Sequence, residues 1–406
     1  MNGIRITLSL AAIFGASSIY GASPVHNKVF EFVPAPGQFV NMLPEWEEGD
    51  DASTMANKAL TCMQGNNEDV GTMVSLGAWG GYVTVGFEKT IVNVEGKRDI
   101  YIEGNSFQAS GSTISGGGVE PGVVMVSYDA NQNGLPDDQW FEIAGSEYGN
   151  SIRDYEIVYY RPQTDGADIQ WTDNKGNSGT IRKNPWHAQC YWPEWLRNEE
   201  KLVFTGTRLP CNAVNQGTAE NPYYMMSRFD YGYADNYPNL DDSGNRNVGA
   251  MIDIDWAVDG NGNAVKLPGV DFVKIYTGVN QYNGWLGENS SEVCRVINMH
   301  TRIVGAEEVV DESIVMDESV LSDFLDKYGS VSMSRNDNLR IYLCGNGIVK
   351  FTLLSAELVQ IFDQNGREVY SSFSPIGNNA ISISDFPTGL YIVKVGNVCE
   401  KILKKR

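Results

Sequence analysis

Asp129-Ala-Asn-Gln-Asn-Gly-Leu-Pro-Asp-Asp138 lies between Val123-Val-Met-Val-Ser-Tyr128 and Trp140-Phe-Glu-Ile-Ala144, and the reading of this stretch decides the fold. Both flanks are short runs of β-branched and aromatic residues, which read as strands. Between them, oxygen-bearing side chains fall at alternate positions, Asp129, Asn131 and Asn133. Gly134 then permits a sharp turn, Leu135 offers a backbone carbonyl, and Asp137 and Asp138 close the set. Alternate side chains on a tight loop converge, and hard oxygens converging on one point are what calcium takes as ligands. The spacing matches the first half of the D-x-[DN]-x-[DN]-G calcium loop. It departs at the twelfth position, where Trp140 replaces the bidentate Glu; Glu142, or Asp137 with Asp138, would have to complete the shell. The expectation is a strand–loop–strand calcium site with a structural ion. The competing reading is a metal-free hairpin turn, because Asn, Asp and Gly also dominate turns.

Composition narrows the function classes. The chain has 406 residues, a formal charge of −21 and three His. Nucleic acid is an unfavourable partner for so acidic a chain, since phosphates are held by Lys and Arg. Few His disfavour a His-built zinc site. Arg5, the apolar run Ile6 to Phe14 and the small residues Gly15-Ala-Ser-Ser18 have the layout of a secretory signal peptide, expected over residues 1–22. That run is too short to span a bilayer, and no later segment is long and apolar enough for a transmembrane helix. The six Cys contain no C-x-x-C, which excludes a zinc ribbon or thioredoxin-type motif. Export permits disulfides, and Cys190–Cys211 and Cys344–Cys399 are the pairs to test against free thiols.

The end of the chain carries a second β pattern. Leu358-Val-Gln-Ile-Phe-Asp-Gln-Asn-Gly-Arg-Glu-Val-Tyr370 is an alternating strand, an Asn365-Gly366 turn and another alternating strand. Further strands follow at Ile381–Ile383 and Phe386–Val395, enough for a small immunoglobulin-like sandwich. "IFDQNGREVY", "ISISDFPTGLYIVKV" and the terminal Lys401–Arg406 cluster resemble the type A C-terminal sorting domain of the type IX secretion system of Bacteroidota, over residues 336–406. The resemblance implies the type IX machinery as partner and a secreted or cell-surface location.

Before that tail, Asp51 to Met63 reads as one short helix, with Asp50 or Asp51 as N-cap and Met55, Ala59, Leu60 and Met63 on one face. Strands then recur at short, turn-punctuated spacing with no βαβ rhythm, which argues for a sandwich or jelly roll. Asp259-Gly-Asn-Gly-Asn263 reads as a plain hairpin turn. "SLGAWGGYVTVGF", "RDIYIEGN", "GYADNYPN", "DIDWAVDGNGNAV" and "DFVKIYTGVNQYNGWLGENSSEV", with the calcium-loop hairpin among them, resemble a family of bacterial secreted, calcium-loop surface proteins. That resemblance implies a jelly-roll-like β-sandwich for residues 28–304. Some members resemble surface proteins that accompany nutrient uptake, corrinoid uptake included. Residues 305–335 are strongly acidic and read as a linker carrying one short docked helix capped by Asp317. The expected fold is therefore all-β: a jelly-roll-like β-sandwich followed by a small immunoglobulin-like β-sandwich tail.

For ligand chemistry, aromatics concentrate in the loops between Trp186 and Tyr237. Trp186, Tyr191, Trp192, Trp195, Tyr231 and Tyr233, with Asp235 and Asn236 to orient a ligand, are the candidate binding residues for a glycan or another nutrient such as a corrinoid. The competing reading is that these rings pack long loops onto the sandwich. His187 and Cys190 lack the signature of a nucleophile pair, and no nucleophile elbow, H-E-x-x-H or P-loop occurs. Glu288 and Glu292 would be the acids of a glycoside hydrolase, if their separation allowed it. The sequence thus points to a non-catalytic surface binding protein, with a glycosidase or a structural adhesin as alternatives.

Overall fold

The structure is a computed structural model describing residues 21–64, 72–108, 117–328, 341–344, 347–353, 356–364, 366–396 and 398–404. The expected signal peptide falls almost wholly on residues 1–20, outside the described residues, as does the end of the acidic segment beyond Tyr328.

The chain is an all-β sandwich, with two α-helices among the described residues. Its central sheet is antiparallel, in the order Lys28–Val33, Tyr82–Val92, Gly269–Thr277, Gly122–Ser127, Trp140–Ile143 and Ala257–Val258, with Tyr233–Ala234 added beside Gly122–Ser127. Alternation along Tyr82–Val92 sorts side chains onto two faces, and both faces are covered. Rows Val85–Val273–Val126 and Val83–Ile275–Val124 run across three strands on one face, every member fully buried. They pack with Ile100, Ile102 and Val296, and with Met55 and Ala59 of the helix Ala52–Cys62. Asp51 caps that helix, accepting from Thr54 N at 2.8 Å.

The opposite face carries Tyr82, Tyr276 and Val123 in one row. It packs on a four-stranded sheet ordered Ser178–Ile181, Ile169–Asp173, Ile152–Tyr160 and Lys201–Arg208. Tyr155, Ile157 and Tyr159 point into this second core, every other residue as a strand requires. Large aromatics also need their polar ends satisfied. Tyr159 donates to the Trp79 carbonyl at 2.9 Å, and the Tyr276 hydroxyl accepts from Thr207 N at 2.8 Å.

The second helix, Glu318–Tyr328, is docked on the body. Asp317 accepts from Ser319 N at 2.8 Å, and Phe324 enters the first core edge-on to Tyr128 and Phe141, with ring centroids 5.7 and 5.9 Å away. The tail has its own core, built from Val349, Phe351, Val359, Ile361, Val393 and Val395. It forms one three-stranded and one four-stranded sheet.

Candidate functional site

Three places gather polar or aromatic side chains: the 129–138 loop, a buried acidic centre, and a cleft at the edge of the second core. The loop is closed by its own hydrogen bonds. Asp129 accepts from Asn133 N at 3.1 Å and Gly134 N at 2.8 Å, and Asn133 Oδ1 accepts from Leu135 N at 2.8 Å. Asn131 and Asn133 donate their amides to Asp137 at 3.0–3.1 Å. Gln132 and Gly134 take left-handed backbone, which draws the alternate side chains inward. Burial beside Asp137 and Asp129 pushes the Asp138 carboxyl up to about 6. The donor set is hard oxygen throughout, the chemistry a calcium ion takes. The similar stretch at Asp259 closes as a turn, accepting from Asn261 N and Asn263 N at 2.9 Å.

The acidic centre is formed by Glu120, Asp235 and Glu292, whose carboxylate oxygens lie within 4.8 Å of one another, the one such trio of acids among the described residues. The segment ending in Tyr233–Ala234 pairs with Gly122–Ser127 and so sets Asp235 beside Glu120. Pairing of Glu292 with Ser75 brings in the third acid. Asp235 and Glu292 are buried, and Glu120 is partly exposed. Asp235 Oδ1 accepts from Asn105 N and Ser106 N at 3.0 and 2.9 Å, and its Oδ2 accepts from Glu292 N at 3.0 Å. Gly104 makes room for it: a Cβ there would lie 2.4 Å from Asp235 Oδ1. Burial and mutual repulsion raise the affinity of Glu120 and Glu292 for protons, and burial does so for Asp235.

The cleft has a volume of about 270 Å³ and is lined by Trp79, Trp171, Arg182, Gln281, Tyr282 and Glu288, among others. The Trp171 ring lies over Gly179, where a Cβ would come within 2.4 Å of it. Arg182 stands over the Tyr282 ring, 5.3 Å from its centroid. Glu288 is held by Gln38, accepting from its backbone N at 2.5 Å and its side-chain amide at 3.3 Å, and burial pushes its carboxyl up to about 7. Asn289 also lines the cleft, is 1% exposed, and its amide nitrogen has no hydrogen-bond partner. Asn184 ties two loops together at this end. Its side chain donates to the Trp285 carbonyl at 2.8 Å and accepts from Trp186 N at 3.0 Å. Trp186 and Trp285 are 84% and 57% exposed, so two tryptophans with free faces project from loops that meet at one residue.

The eight candidate ligand residues are not gathered on one face. Trp186 is exposed on the loop that Asn184 ties to Trp285, outside the residues lining the cleft. Tyr191, Trp192 and Tyr233 are buried in the second core, and Trp195 stacks on Phe32 at 5.7 Å. Tyr231 is partly exposed against Trp256. Asp235 belongs to the acidic centre, and Asn236 clamps Phe229 through its backbone N and O, both at 2.8 Å. Trp285, Tyr282, Trp171 and Arg182 escaped the sequence reading. The first two sit in Gln281-Tyr-Asn-Gly-Trp-Leu-Gly287, an aromatic Asn/Gly loop that meets the criterion applied to residues 186–237. Nothing local marks Glu120. Glu288 and Glu292 face different places, the cleft and the acidic centre. The Cys190–Cys211 pairing is corrected: both thiols are free, and Cys190 donates to the Trp192 carbonyl at 3.5 Å. Cys399 is free, and the Cys344 side chain lies outside the described residues.

Residues 344–406 match the model of a secretion system C-terminal sorting domain. No curated protein matches the chain. A sorting domain of this kind engages the type IX secretion machinery, so the chain is an exported protein, secreted or held at the cell surface. No helix among the described residues is long and apolar enough to cross a membrane.

Proposed function

We propose that the body is a calcium-stabilised binding module of the cell surface, of the calcium-loop surface family its sequence resembles, and that it captures a glycan at the Trp171–Tyr282–Glu288 cleft without turning it over. The observation that carries this reading is that Asn184, which joins the loops bearing the exposed Trp186 and Trp285, donates to Gln38, the residue that holds Glu288 in the cleft. Flat aromatic faces suit sugar rings, while buried amides and a carboxylate fix hydroxyl orientation. At about 270 Å³ the cleft falls just under the range of about 300–1,000 Å³ usual for small-molecule sites. That suits one ring of a longer chain and disfavours a corrinoid macrocycle. Hydrolysis needs two carboxyl groups across the scissile bond. Glu288 is the one acid among the described residues lining the cleft. Calcium at Asp129, Asn131, Asn133, Leu135, Asp137 and Asp138 would hold the hairpin that joins Gly122–Ser127 to Trp140–Ile143 within the central sheet. The test is retardation of the purified protein in native gels cast with a panel of polysaccharides. At least one should retard the native chain, and Trp186→Ala and Trp285→Ala should each lose most of the effect. A panel that retards none, or retardation untouched by both variants, refutes capture at this cleft.

A further inference from the structure

We infer that the sugar ring taken up by the cleft carries a carboxylate, as a uronic acid does, and that Arg182 holds it; the inference rests on capture of a glycan at this cleft. Arg182 lines the cleft and is exposed, so its guanidinium is open to a ligand. Other arginines, Arg98, Arg246 and Arg295 among them, are spent on carboxylates. Arg182 makes no ion pair among the described residues. It is held instead by cation–π attraction over the Tyr282 ring, 5.3 Å from the centroid. A guanidinium is a planar fork of N–H donors, which matches a carboxylate through two parallel hydrogen bonds.

The hydrogen-bond balance of the lining points the same way. Several of its acceptors are taken up inside the protein. Gln281 Oε1 accepts from Asn212 N and Ala213 N at 3.1 and 3.2 Å, and Asn289 Oδ1 accepts from the Asn283 amide at 3.3 Å. Glu288 accepts from Gln38 through both oxygens. The buried side-chain atoms of the lining that lack a partner are both donors, the nitrogens of Asn289 and Trp79. A lining with donors to spare suits a ligand rich in acceptor oxygens. Glu288 is the lining acid that would oppose an anion. Burial pushes its carboxyl up to about 7, so near neutral pH it takes a proton at little cost and meets the ligand as a donor. The formal charge of −21 is spread over the whole chain. Exposed charges more than about 8 Å away are largely screened at physiological salt, so the nearby guanidinium dominates.

The test uses the full chain at physiological salt in native gels cast with polygalacturonate or alginate, with methyl esters of both, with neutral dextran and galactomannan, or with dextran sulfate. Retardation by polygalacturonate or alginate and not by its ester is the expected result. Arg182→Gln should weaken the apparent affinity by at least about tenfold, as loss of a charge-assisted hydrogen bond does. Arg182→Lys, which keeps the charge without the fork, should recover part of it. Retardation by an acidic glycan that Arg182→Gln leaves unchanged overturns the inference. So does retardation by dextran sulfate alone. Retardation by an ester or a neutral glycan, lost in Trp285→Ala and unchanged in Arg182→Gln, overturns the carboxylate while capture at the cleft stands. Retardation by none of the glycans refutes capture at the cleft, and this inference with it.

Discussion

Truncation of Phe324 to alanine tests whether the acidic segment after residue 305 is part of the body's packing. The ring is 4% exposed and sits edge-on to Tyr128 and Phe141, with Tyr328 at 5.1 Å. Burying a Phe contributes about 1.5–3 kcal/mol, and each good aromatic pair adds about 0.5–1.5 kcal/mol. Phe→Ala in a core costs about 3–5 kcal/mol once the residual cavity is included. We take about 4 kcal/mol. At about 2 °C per kcal/mol for a large domain, the midpoint should fall by about 8 °C. All nine tryptophans lie between Trp46 and Trp285, so intrinsic fluorescence during a thermal scan follows the body without interference from the tail. Asp323→Ala, one position away on the exposed side, should stay within about 0.5 kcal/mol of the native chain. Equal midpoints for Phe324→Ala and Asp323→Ala would show that the helix adds nothing to the core.

Other perturbations follow from the same structure. His26 is 1% exposed, and burial lowers its pKa to about 4 from 6.5. Between those values the unfolded chain binds more protons, so His26 contributes its full stability above pH 6.5 and loses about 3 kcal/mol as pH falls toward 4. His26→Gln should flatten the fall in urea midpoint between pH 7 and 4.5, and an unchanged slope would refute the assignment. Gly77 has a φ of +70°, and a Cβ there would lie 2.0 Å from the Ala35 carbonyl oxygen. Gly77→Ala should therefore cost clearly more than the roughly 1–2 kcal/mol of left-handed strain alone, which Gly49→Ala, with φ +101° and nothing within 4 Å, would measure. For the loop, saturating calcium at 100 times its dissociation constant should stabilise the native chain by about 2.7 kcal/mol per ion. Asp129→Asn with Asp137→Asn should remove one ion's share of the calcium-induced rise in melting temperature, and a full rise in that variant would place the ion elsewhere.

The all-β class was legible because strand signals are local: alternation at Tyr82–Phe87, the Val123–Tyr128 run and the Leu358–Tyr370 hairpin each specify their own backbone. Helix caps are local as well, and Asp51 and Asp317 both occupy the positions their sequence context implies. The site is different in kind. Whether a loop aromatic faces solvent or core depends on which sheet lies beneath it, so Trp186 and Trp192, six residues apart, end at 84% and 2% exposed. The acidic centre is less legible still. Its members are separated by 115 positions between Glu120 and Asp235 and by 57 between Asp235 and Glu292, and only the pairings of Tyr233–Ala234 and of Glu292 with Ser75 bring them together.

The most direct test of capture at the cleft is calorimetric titration of the native chain and of Trp285→Ala with a glycan found by gel retardation, with chromatography of the glycan afterwards. Saturable binding by the native chain, at least tenfold weaker in Trp285→Ala, with the glycan recovered intact, is the predicted result. Equal affinity in the variant would place binding elsewhere, and shortened glycan whose production stops in Glu288→Gln would make the protein an enzyme.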